Sequence, residues 1–212
     1  MKLKKRILTS IFLLIILYGA LINKIILLSL LLIVGYTALI EIFKLIKKIF
    51  IGNKFKIIFF YLVSIIYVSI SFTQIFFFNI DYTNKIFLIF FLSICIATDI
   101  GGYIFGKTFK GRKLTKISPN KTYSGLFGSY ILSLLIFSYF YFILNFSTEF
   151  LLITLIISTI SQIGDLFISF LKRKAKVKDT GSILPGHGGV LDRIDGIIFA
   201  IPLGVNLLFI IK

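Results

Sequence analysis

The chain of 212 residues is 58% hydrophobic and 15% charged, with a mean hydropathy of +1.04 and a formal net charge of +16. This hydrophobic fraction exceeds what the core of a soluble domain of this length needs, so the composition excludes an ordinary soluble protein. One cysteine and one histidine also exclude an intrachain disulfide and provide too few ligands for a usual zinc site.

Long apolar segments recur along the chain and predict membrane-spanning helices. The runs are too long for buried strands and lack the alternation of a transmembrane barrel, so we predict an all-α polytopic integral membrane protein with about seven transmembrane helices. Residues 1–20 resemble a signal peptide, but the next span follows almost at once, so we expect an uncleaved first helix. The segments cover about residues 7–22, 25–43, 57–75, 86–106, 126–145, 150–171 and 196–211.

The basic residues are distributed unevenly between the two sides of the predicted membrane. If the N-terminus is cytoplasmic, all 24 basic residues except Lys24, Lys85 and Lys212 fall in cytoplasmic segments. This is the bias of the positive-inside rule, so we predict a cytoplasmic N-terminus, most simply in a bacterial inner membrane. The positive charge then reflects topology and attraction to anionic lipid headgroups, and it does not require nucleic acid as a partner.

The character of the chain changes after the third predicted span. Residues 1–85 are predicted to be scaffold helices, with Glu41 as the only acid before Asp81. Residues 86–212 are predicted to form a catalytic membrane domain. Its two cytoplasmic loops, 107–125 and 172–195, are rich in Gly, Lys, Ser and Asp, and we expect them to converge on one site.

The loop 107–125 carries basic and hydroxyl side chains that suit phosphate binding at the membrane surface. A formal P-loop match at residues 101–108 begins inside an apolar span and has no surrounding α/β domain, so it does not predict a nucleotide loop. The alternative is a positive-inside loop that binds nothing in particular. The candidate phosphate-binding residues are Ser118, Lys121 and Thr122, with Lys107, Arg112 and Lys113 nearby.

Asp165 lies inside the sixth predicted span, about six residues from its cytoplasmic end. An unpaired carboxylate in a membrane is unfavourable by about 2.5 to 3.5 kcal/mol at the midplane, so we expect a neighbouring cation. Ser161, Asp165, Ser169 and then Lys172 or Arg173 follow helical spacing and share one face. The alternative interpretation is a polar seam between helices, although serines alone would suffice for that.

The loop after this span contains three of the eight acids and the only histidine. Four of the eight acids fall between residues 165 and 195. Asp192 and Asp195 are three residues apart and share a helical face, so with Asp165 they form a candidate all-oxygen site for Mg²⁺ or Mn²⁺. A solvated loop is the alternative. Carboxylates beside lysine-rich loops at a bilayer indicate phosphoryl or nucleotidyl transfer to a lipid.

The segment 169–195 resembles, without a gap, the long signature of the phosphatidate cytidylyltransferases, also called CDP-diacylglycerol synthases. The stretches "SQIGDL" and "SPNKTYSG" are similar to two further motifs of that family, which usually has Trp and then Glu or Gln at the positions of Tyr123 and Ser124. The matching signature residues are Ser169, Lys172, Arg173, Lys178, Asp179, Gly181, Leu184, Pro185, His187, Gly188, Gly189, Asp192, Arg193 and Asp195.

This resemblance implies an integral membrane enzyme that converts CTP and phosphatidic acid into CDP-diacylglycerol and pyrophosphate at the cytoplasmic face. It also implies Mg²⁺, a possible K⁺, and a homodimer. By resemblance, Asp165 and Asp192 are metal ligands, and we assign Asp195 to the same centre. These three residues and Lys172 are the predicted catalytic residues. The remaining residues assigned to substrate are Ser169, Arg173, Lys178, Asp179, His187 and Arg193.

Two further functions remain compatible with the residues. One is a related CTP-dependent lipid kinase, or a cytidylyltransferase acting on another lipid phosphate. The other, of a different class, is a membrane transporter whose carboxylates line a pathway. The acids cluster near one face of the membrane and no paired halves are visible, which disfavours the transporter.

Overall fold

The computed structural model describes residues 15–183 and 188–211, and within these residues the long regular elements are all helices. Residues 15–22 are helical, and the described part of the chain contains no β-strand. The predicted all-α class is confirmed. The helices with defined ends are α1 Lys24–Ile49, α2 Lys54–Phe78, α3 Tyr82–Phe109, α4 Tyr123–Leu144, α5 Glu149–Lys174, α6 Leu191–Ile194 and α7 Ile197–Ile211.

Among the described residues, the five helices α1 to α5 are long and apolar enough to cross a membrane. They contain between 22 and 28 residues, and about 20 are needed to cross the hydrocarbon core. They coincide with the second to sixth predicted spans. The prediction of an all-α integral membrane protein is therefore confirmed.

The first and last predicted spans differ from these five. Residues 7–14 of the first span lie outside the described residues. The last span forms α7, which has 15 residues and contains Pro202. At 1.5 Å per residue this helix is about 22 Å long, short of a hydrocarbon core of about 30 Å. The number of seven spans and the orientation in the membrane therefore stay predictions.

Short polar side chains fix the ends of several helices. Asn23 Oδ1 accepts from Ile25 N at 2.8 Å before α1, and Asn53 Oδ1 accepts from Lys56 N at 3.0 Å before α2. The backbone of Asn145, with a φ of 54°, adopts a left-handed conformation directly after α4. These caps satisfy terminal N–H groups and end the helices where the apolar pattern ends.

The chain divides into two compact units that do not follow the order of the sequence. One unit holds residues up to Asp81 together with Leu171–Ile194, and the other holds Tyr82–Phe170 together with the residues from Asp195 onward. The predicted division into scaffold helices, residues 1–85, and a catalytic membrane domain, residues 86–212, stays a prediction.

In the first unit, α1 and α2 pack through a glycine contact and an aromatic pair. A Cβ atom on Gly35 would lie 2.8 Å from the ring of Phe72, so a larger residue there would require this ring to shift. The rings of Phe43 and Tyr61 stack with centroids 4.1 Å apart, and Tyr61 Oη donates to the Phe43 carbonyl at 3.2 Å. Small residues at such contacts let helix backbones approach closely in an apolar surrounding.

In the second unit, glycines bring α3 and α4 into backbone contact. A Cβ atom on Gly101 would overlap the carbonyl of Gly128, and one on Gly125 would lie 2.7 Å from the carbonyl of Gly102. The P-loop match at residues 101–108 lies wholly inside α3. Its glycines therefore pack against α4 and do not form a phosphate-binding loop.

Buried hydroxyl groups join three helices of the same unit. Thr98 Oγ1 lies 2.9 Å from both Ser133 Oγ and Ser158 Oγ, and all three side chains are almost fully buried. Ser129 Oγ donates to the Thr98 carbonyl at 2.7 Å. Such hydrogen bonds hold transmembrane helices together where apolar contact alone gives little driving force.

Candidate active site: two lysine–aspartate pairs

Asp165 forms an ion pair with a lysine from the loop between α3 and α4. Lys121 Nζ lies 2.5 Å from Asp165 Oδ2, and each side chain is about one quarter exposed. On the other carboxylate oxygen, Oδ1, Asp165 accepts a long hydrogen bond of 3.4 Å from Ser169 Oγ. The expectation that a cation lies beside Asp165 is therefore confirmed, and its partner is Lys121.

The loop that carries Lys121 is held by its own backbone. Leu114 N donates to the Lys121 carbonyl at 2.8 Å, and Tyr123 N donates to the Arg112 carbonyl at 3.1 Å. Lys121 N donates to the Ser118 carbonyl at 3.0 Å, which closes a turn. Because these bonds fix the backbone on both sides of Lys121, its ammonium group reaches Asp165 from a defined position.

The two hydroxyl residues predicted in this loop, Ser118 and Thr122, have structural contacts. Ser118 N donates to Thr115 Oγ1 at 3.2 Å, and Thr122 Oγ1 accepts from Gly125 N at 3.1 Å as the N-cap of α4. Both residues therefore shape the loop around Lys121. Their predicted contact with phosphate stays a prediction.

Ser124 closes the same loop. The phosphatidate cytidylyltransferases usually have Glu or Gln at this position. Its Oγ donates a short hydrogen bond to the Lys110 carbonyl and lies 2.9 Å from Thr122 Oγ1. Lys110 and Gly111 have φ values of 51° and 106°, so the chain turns sharply after α3. The serine hydroxyl fixes that turn against the start of α4.

Asp192 forms a second ion pair, with a lysine near the end of α5. Lys172 Nζ donates to Asp192 Oδ1 at 2.6 Å, and the two side chains are only 12% and 7% exposed. The other oxygen, Oδ2, accepts from Thr180 N at 2.9 Å and from Gly189 N at 3.0 Å. One oxygen therefore faces a cation, while the other is occupied by the backbone.

These contacts set the ionisation of Asp192. Burial alone would raise its pKa. The hydrogen bonds from Lys172 and from the amides of Thr180 and Gly189 together lower the pKa by more than burial raises it. The net result is a pKa below the usual range for aspartate. The carboxylate therefore stays negatively charged and able to bind a cation throughout the neutral range.

A hydrogen-bonded turn ends α5. Lys176 N donates to the Arg173 carbonyl at 3.1 Å and Val177 N donates to the Lys172 carbonyl at 3.0 Å, with Lys176 in a left-handed conformation at φ 56°. This is the Schellman arrangement that ends many helices. It ends α5 at Lys174, and the chain then continues to Thr180, whose amide contacts Asp192.

Glu41 also contacts this loop, although the sequence analysis assigned it to the scaffold. Its side chain is 1% exposed. Oε1 accepts from Val190 N at 3.0 Å, and Oε2 accepts from Leu191 N at 2.9 Å. The signal was present in the sequence, because a lone acid in an apolar span is by itself a sign of function.

Asp195 lies beside the helix that carries Asp165. A Cβ atom on Gly164 would be 2.6 Å from the Asp195 carbonyl, so this glycine lets the chain after α6 approach α5. The Asp195 carboxylate accepts from Gly196 N at 3.0 Å. The structure thus brings the backbone of Asp195 next to the residue that precedes Asp165.

The remaining predicted residues lie around these pairs. Ser169 is buried, whereas the side chains of Arg173, Lys178, Asp179 and Arg193 are exposed. Arg173 Nη1 donates to the Val177 carbonyl at 3.5 Å. His187 lies outside the described residues, and its predicted role stays a prediction.

The donor chemistry of the two pairs fits a hard divalent cation. Asp165 and Asp192 each present one oxygen to a lysine ammonium, and carboxylate oxygens are the ligands that Mg²⁺ prefers. Among residues 15–183 and 188–211, no three His, Cys, Asp or Glu side chains form a group that could hold a metal ion. The metal site formed by Asp165, Asp192 and Asp195 therefore stays a prediction.

Several curated proteins similar to this chain are phosphatidate cytidylyltransferases. The chain is 45% identical over 130 residues to the phosphatidate cytidylyltransferase of Rickettsia felis, covering 57% of each protein. It is 41% identical over 128 residues to that of Bacillus subtilis, covering 58% of this chain and 48% of the relative. It is 43% identical over 128 residues to that of Staphylococcus haemolyticus, covering 58% of this chain and 49% of the relative. The chain spans about half the length of these relatives.

A family comparison covers more of the sequence. Residues 49–211 match the family described as "Cytidylyltransferase family". This range includes both lysine–aspartate pairs and the loops that hold them. Because the match extends over more than half of the sequence, the chain belongs to the cytidylyltransferase family.

Proposed function

We propose that this protein is a phosphatidate cytidylyltransferase that makes CDP-diacylglycerol in phospholipid biosynthesis. The observation that carries the proposal is the pair of aspartates, Asp165 and Asp192, each bound to a lysine in an all-helical membrane protein of this family. The relatives in Rickettsia, Bacillus and Staphylococcus carry the same activity in their names. The signature over residues 169–195 agrees with them.

In the proposed reaction, an oxygen of the phosphatidic acid phosphate attacks the α-phosphorus of CTP. The bond from that phosphorus to the β-phosphate oxygen breaks, and pyrophosphate leaves. Both substrates are polyanionic, so positioning and charge neutralisation supply most of the catalysis. No protein nucleophile is required.

The two lysines would bind phosphate oxygens during this reaction. Lys121 and Lys172 each carry a compact positive charge whose position is fixed by an aspartate. Ser169, Arg173, Lys178, Asp179, His187 and Arg193 are assigned to substrate by resemblance alone.

We assign Asp165, Asp192 and Asp195 as ligands of Mg²⁺ or Mn²⁺, with K⁺ as a possible additional ion. When bound, the divalent ion would neutralise charge on the CTP phosphates. The Asp192 carboxylate has a pKa below the usual range for aspartate, so it is ionised at neutral pH. The two lysine–aspartate contacts support the assignment of Asp165 and Asp192, because each carboxylate lies against a positive charge.

The expected setting follows the basic residues of the chain. We propose a bacterial inner membrane protein with its active site facing the cytoplasm, acting as a homodimer. The positive-inside distribution supports this orientation. Crosslinking in membranes would test the dimer, and labelling of single cysteines introduced in the loop 107–125 would test the side of the membrane.

The direct test is to incubate the purified protein with CTP, phosphatidic acid and Mg²⁺. We expect pyrophosphate release and a lipid product with the mass of CDP-diacylglycerol, and loss of both with EDTA. A CTP-dependent lipid kinase would instead release CDP, and another acceptor would leave phosphatidic acid unused. Substrate flux across proteoliposomes without any product would favour the transporter. Any of these three results would overturn the proposal.

A further inference from the structure

The strongest feature that the proposed reaction leaves unexplained is Glu41, a carboxylate buried in a membrane-length helix. Its side chain is 1% exposed and lies within α1. It is far in sequence from the loop 172–195, which is called the signature loop below. A buried carboxylate is strongly unfavourable unless hydrogen bonds replace its lost water. Its partners therefore indicate why the residue is there.

Within residues 15–183 and 188–211, the hydrogen-bond donors to Glu41 come from one short region, 139 to 150 residues later in the chain. They are the amides of Val190 and Leu191 and the hydroxyl of Thr180, at distances of 3.0, 2.9 and 2.7 Å. Both carboxylate oxygens are used. Glu41 thus holds two parts of the signature loop, at Thr180 and at residues 190 and 191, and both parts lie next to Asp192.

The Thr180 hydroxyl lies between Glu41 and Asp192. Its Oγ1 is 2.7 Å from Glu41 Oε2 and 3.0 Å from Asp192 Oδ2. A hydroxyl has one proton and donates to one carboxylate at a time. Asp192 Oδ2 already accepts from two backbone amides, so the shorter contact to Glu41 takes the proton.

Two glycines of the signature leave the space that this arrangement needs. A Cβ atom on Gly181 would overlap Glu41 Oε1, and a Cβ atom on Gly189 would overlap Glu41 Oε2 and Thr180 Oγ1. The loop is therefore shaped around the glutamate. This explains in physical terms why these two positions are glycine.

We infer that Glu41 is a positioning residue, which fixes the signature loop so that Asp192 presents its Oδ1 atom to a cation. This inference rests on the proposed function, because it gives Asp192 a role in the reaction. Glu41 holds the backbone at residues 190 and 191. Asp192 Oδ2 is in turn held by Thr180 N and Gly189 N, which leaves Oδ1 directed at Lys172.

The first experiment measures the loop itself by hydrogen exchange, in the full-length membrane protein without substrate or metal. Glu41→Gln replaces one acceptor oxygen by an NH₂ group, which cannot accept a hydrogen bond from the Val190 or Leu191 amide or from the Thr180 hydroxyl. We expect faster exchange of the Val190 and Leu191 amides, with residues 113–122 unchanged. Glu149→Gln, an exposed glutamate in the first turn of α5, is the matched control. Unchanged exchange in Glu41→Gln would overturn the inference, whether or not the protein is active.

The second experiment measures the Mg²⁺ concentration that gives half-maximal formation of CDP-diacylglycerol. Partners that orient metal ligands typically contribute 10- to 100-fold to affinity or activity, so we expect a rise of about that size in Glu41→Gln. Thr180→Val, which removes only the hydroxyl, should show a smaller rise, and Thr180→Ser should restore the wild-type value. If exchange is faster but the Mg²⁺ midpoint and kcat are unchanged, Glu41 is only structural and the inference fails.

The two experiments separate this inference from the proposed function. If the wild-type protein forms no CDP-diacylglycerol, the proposed function fails. The exchange measurement then still decides whether Glu41 fixes the loop around Asp192. If the wild-type protein is active and Glu41→Gln cannot be purified, the pair Thr180→Val and Thr180→Ser decides the inference through the same Mg²⁺ midpoint.

Discussion

At the scale of single residues, the central feature is that two aspartates are each matched with a lysine. The pairs differ in environment, because Lys121 and Asp165 are each about one quarter exposed, whereas Lys172 and Asp192 are largely buried. Asp192 has further donors from the backbone, and Asp165 has only a long contact from Ser169 among its described hydrogen bonds. Asp165 therefore depends more strongly on its lysine.

This dependence predicts the stability of variants at Lys121. Lys121→Met leaves the Asp165 carboxylate without its cation, so it should lower the melting temperature of the protein in detergent. Adding Asp165→Asn removes the uncompensated charge and should recover part of the loss. The coupling in this double-mutant cycle should be about 0.5 to 3 kcal/mol.

The matched control for this cycle is Lys116→Met, an exposed lysine of the same loop. It should leave the melting temperature unchanged. Purely additive effects of Lys121→Met and Asp165→Asn would contradict a direct interaction between the two side chains.

Only part of the candidate site could be predicted from the sequence. The membrane cost of a carboxylate predicts that Asp165 has a cation, but it does not say which one, because Lys121 comes from a loop between two other helices. Glu41 was recognisable as an isolated acid in an apolar span. Its partners were not, because hydrogen bonds to backbone amides leave no mark on residue type.

At the scale of helices, glycine contacts set how closely α3 and α4 approach. Hydropathy predicts α1 to α5 to within a few residues, because each apolar run must be about 20 residues long to cross the membrane. It does not predict the turns. Lys110 and Lys176 adopt left-handed conformations that favour glycine, so their residue types give no signal.

The glycine contact between α3 and α4 gives a prediction at this scale. In Gly101→Ala the new methyl group would meet the backbone of Gly128, which cannot rotate away as a side chain could. We expect a loss of about 1 to 3 kcal/mol in unfolding free energy, measured by thermal or denaturant unfolding in detergent.

Gly19→Ala is the control for this prediction, since a Cβ atom there meets only the flexible side chain of Ile26, at 3.6 Å. That helical position should tolerate alanine or gain slightly in stability. Equal stability of the two variants would contradict a close backbone contact at Gly101.

At the scale of the whole molecule, the signature loop belongs with the N-terminal helices. Residues up to Asp81 and Leu171–Ile194 form one compact unit. Composition predicts a boundary near residue 85, because the N-terminal part is apolar and nearly free of acids, and this boundary stays a prediction. Composition gives no sign that the Glu41 carboxylate accepts hydrogen bonds from residues 139 to 150 positions later in the chain.

The proposed formation of CDP-diacylglycerol requires both Asp165 and Asp192. The most direct measurement is CDP-diacylglycerol formation by Asp165→Asn and Asp192→Asn, compared with Asp81→Asn, an exposed aspartate between α2 and α3. We expect no detectable product from either of the first two variants, although both insert into the membrane, and normal turnover from the third. Normal turnover by Asp165→Asn or Asp192→Asn would contradict the account.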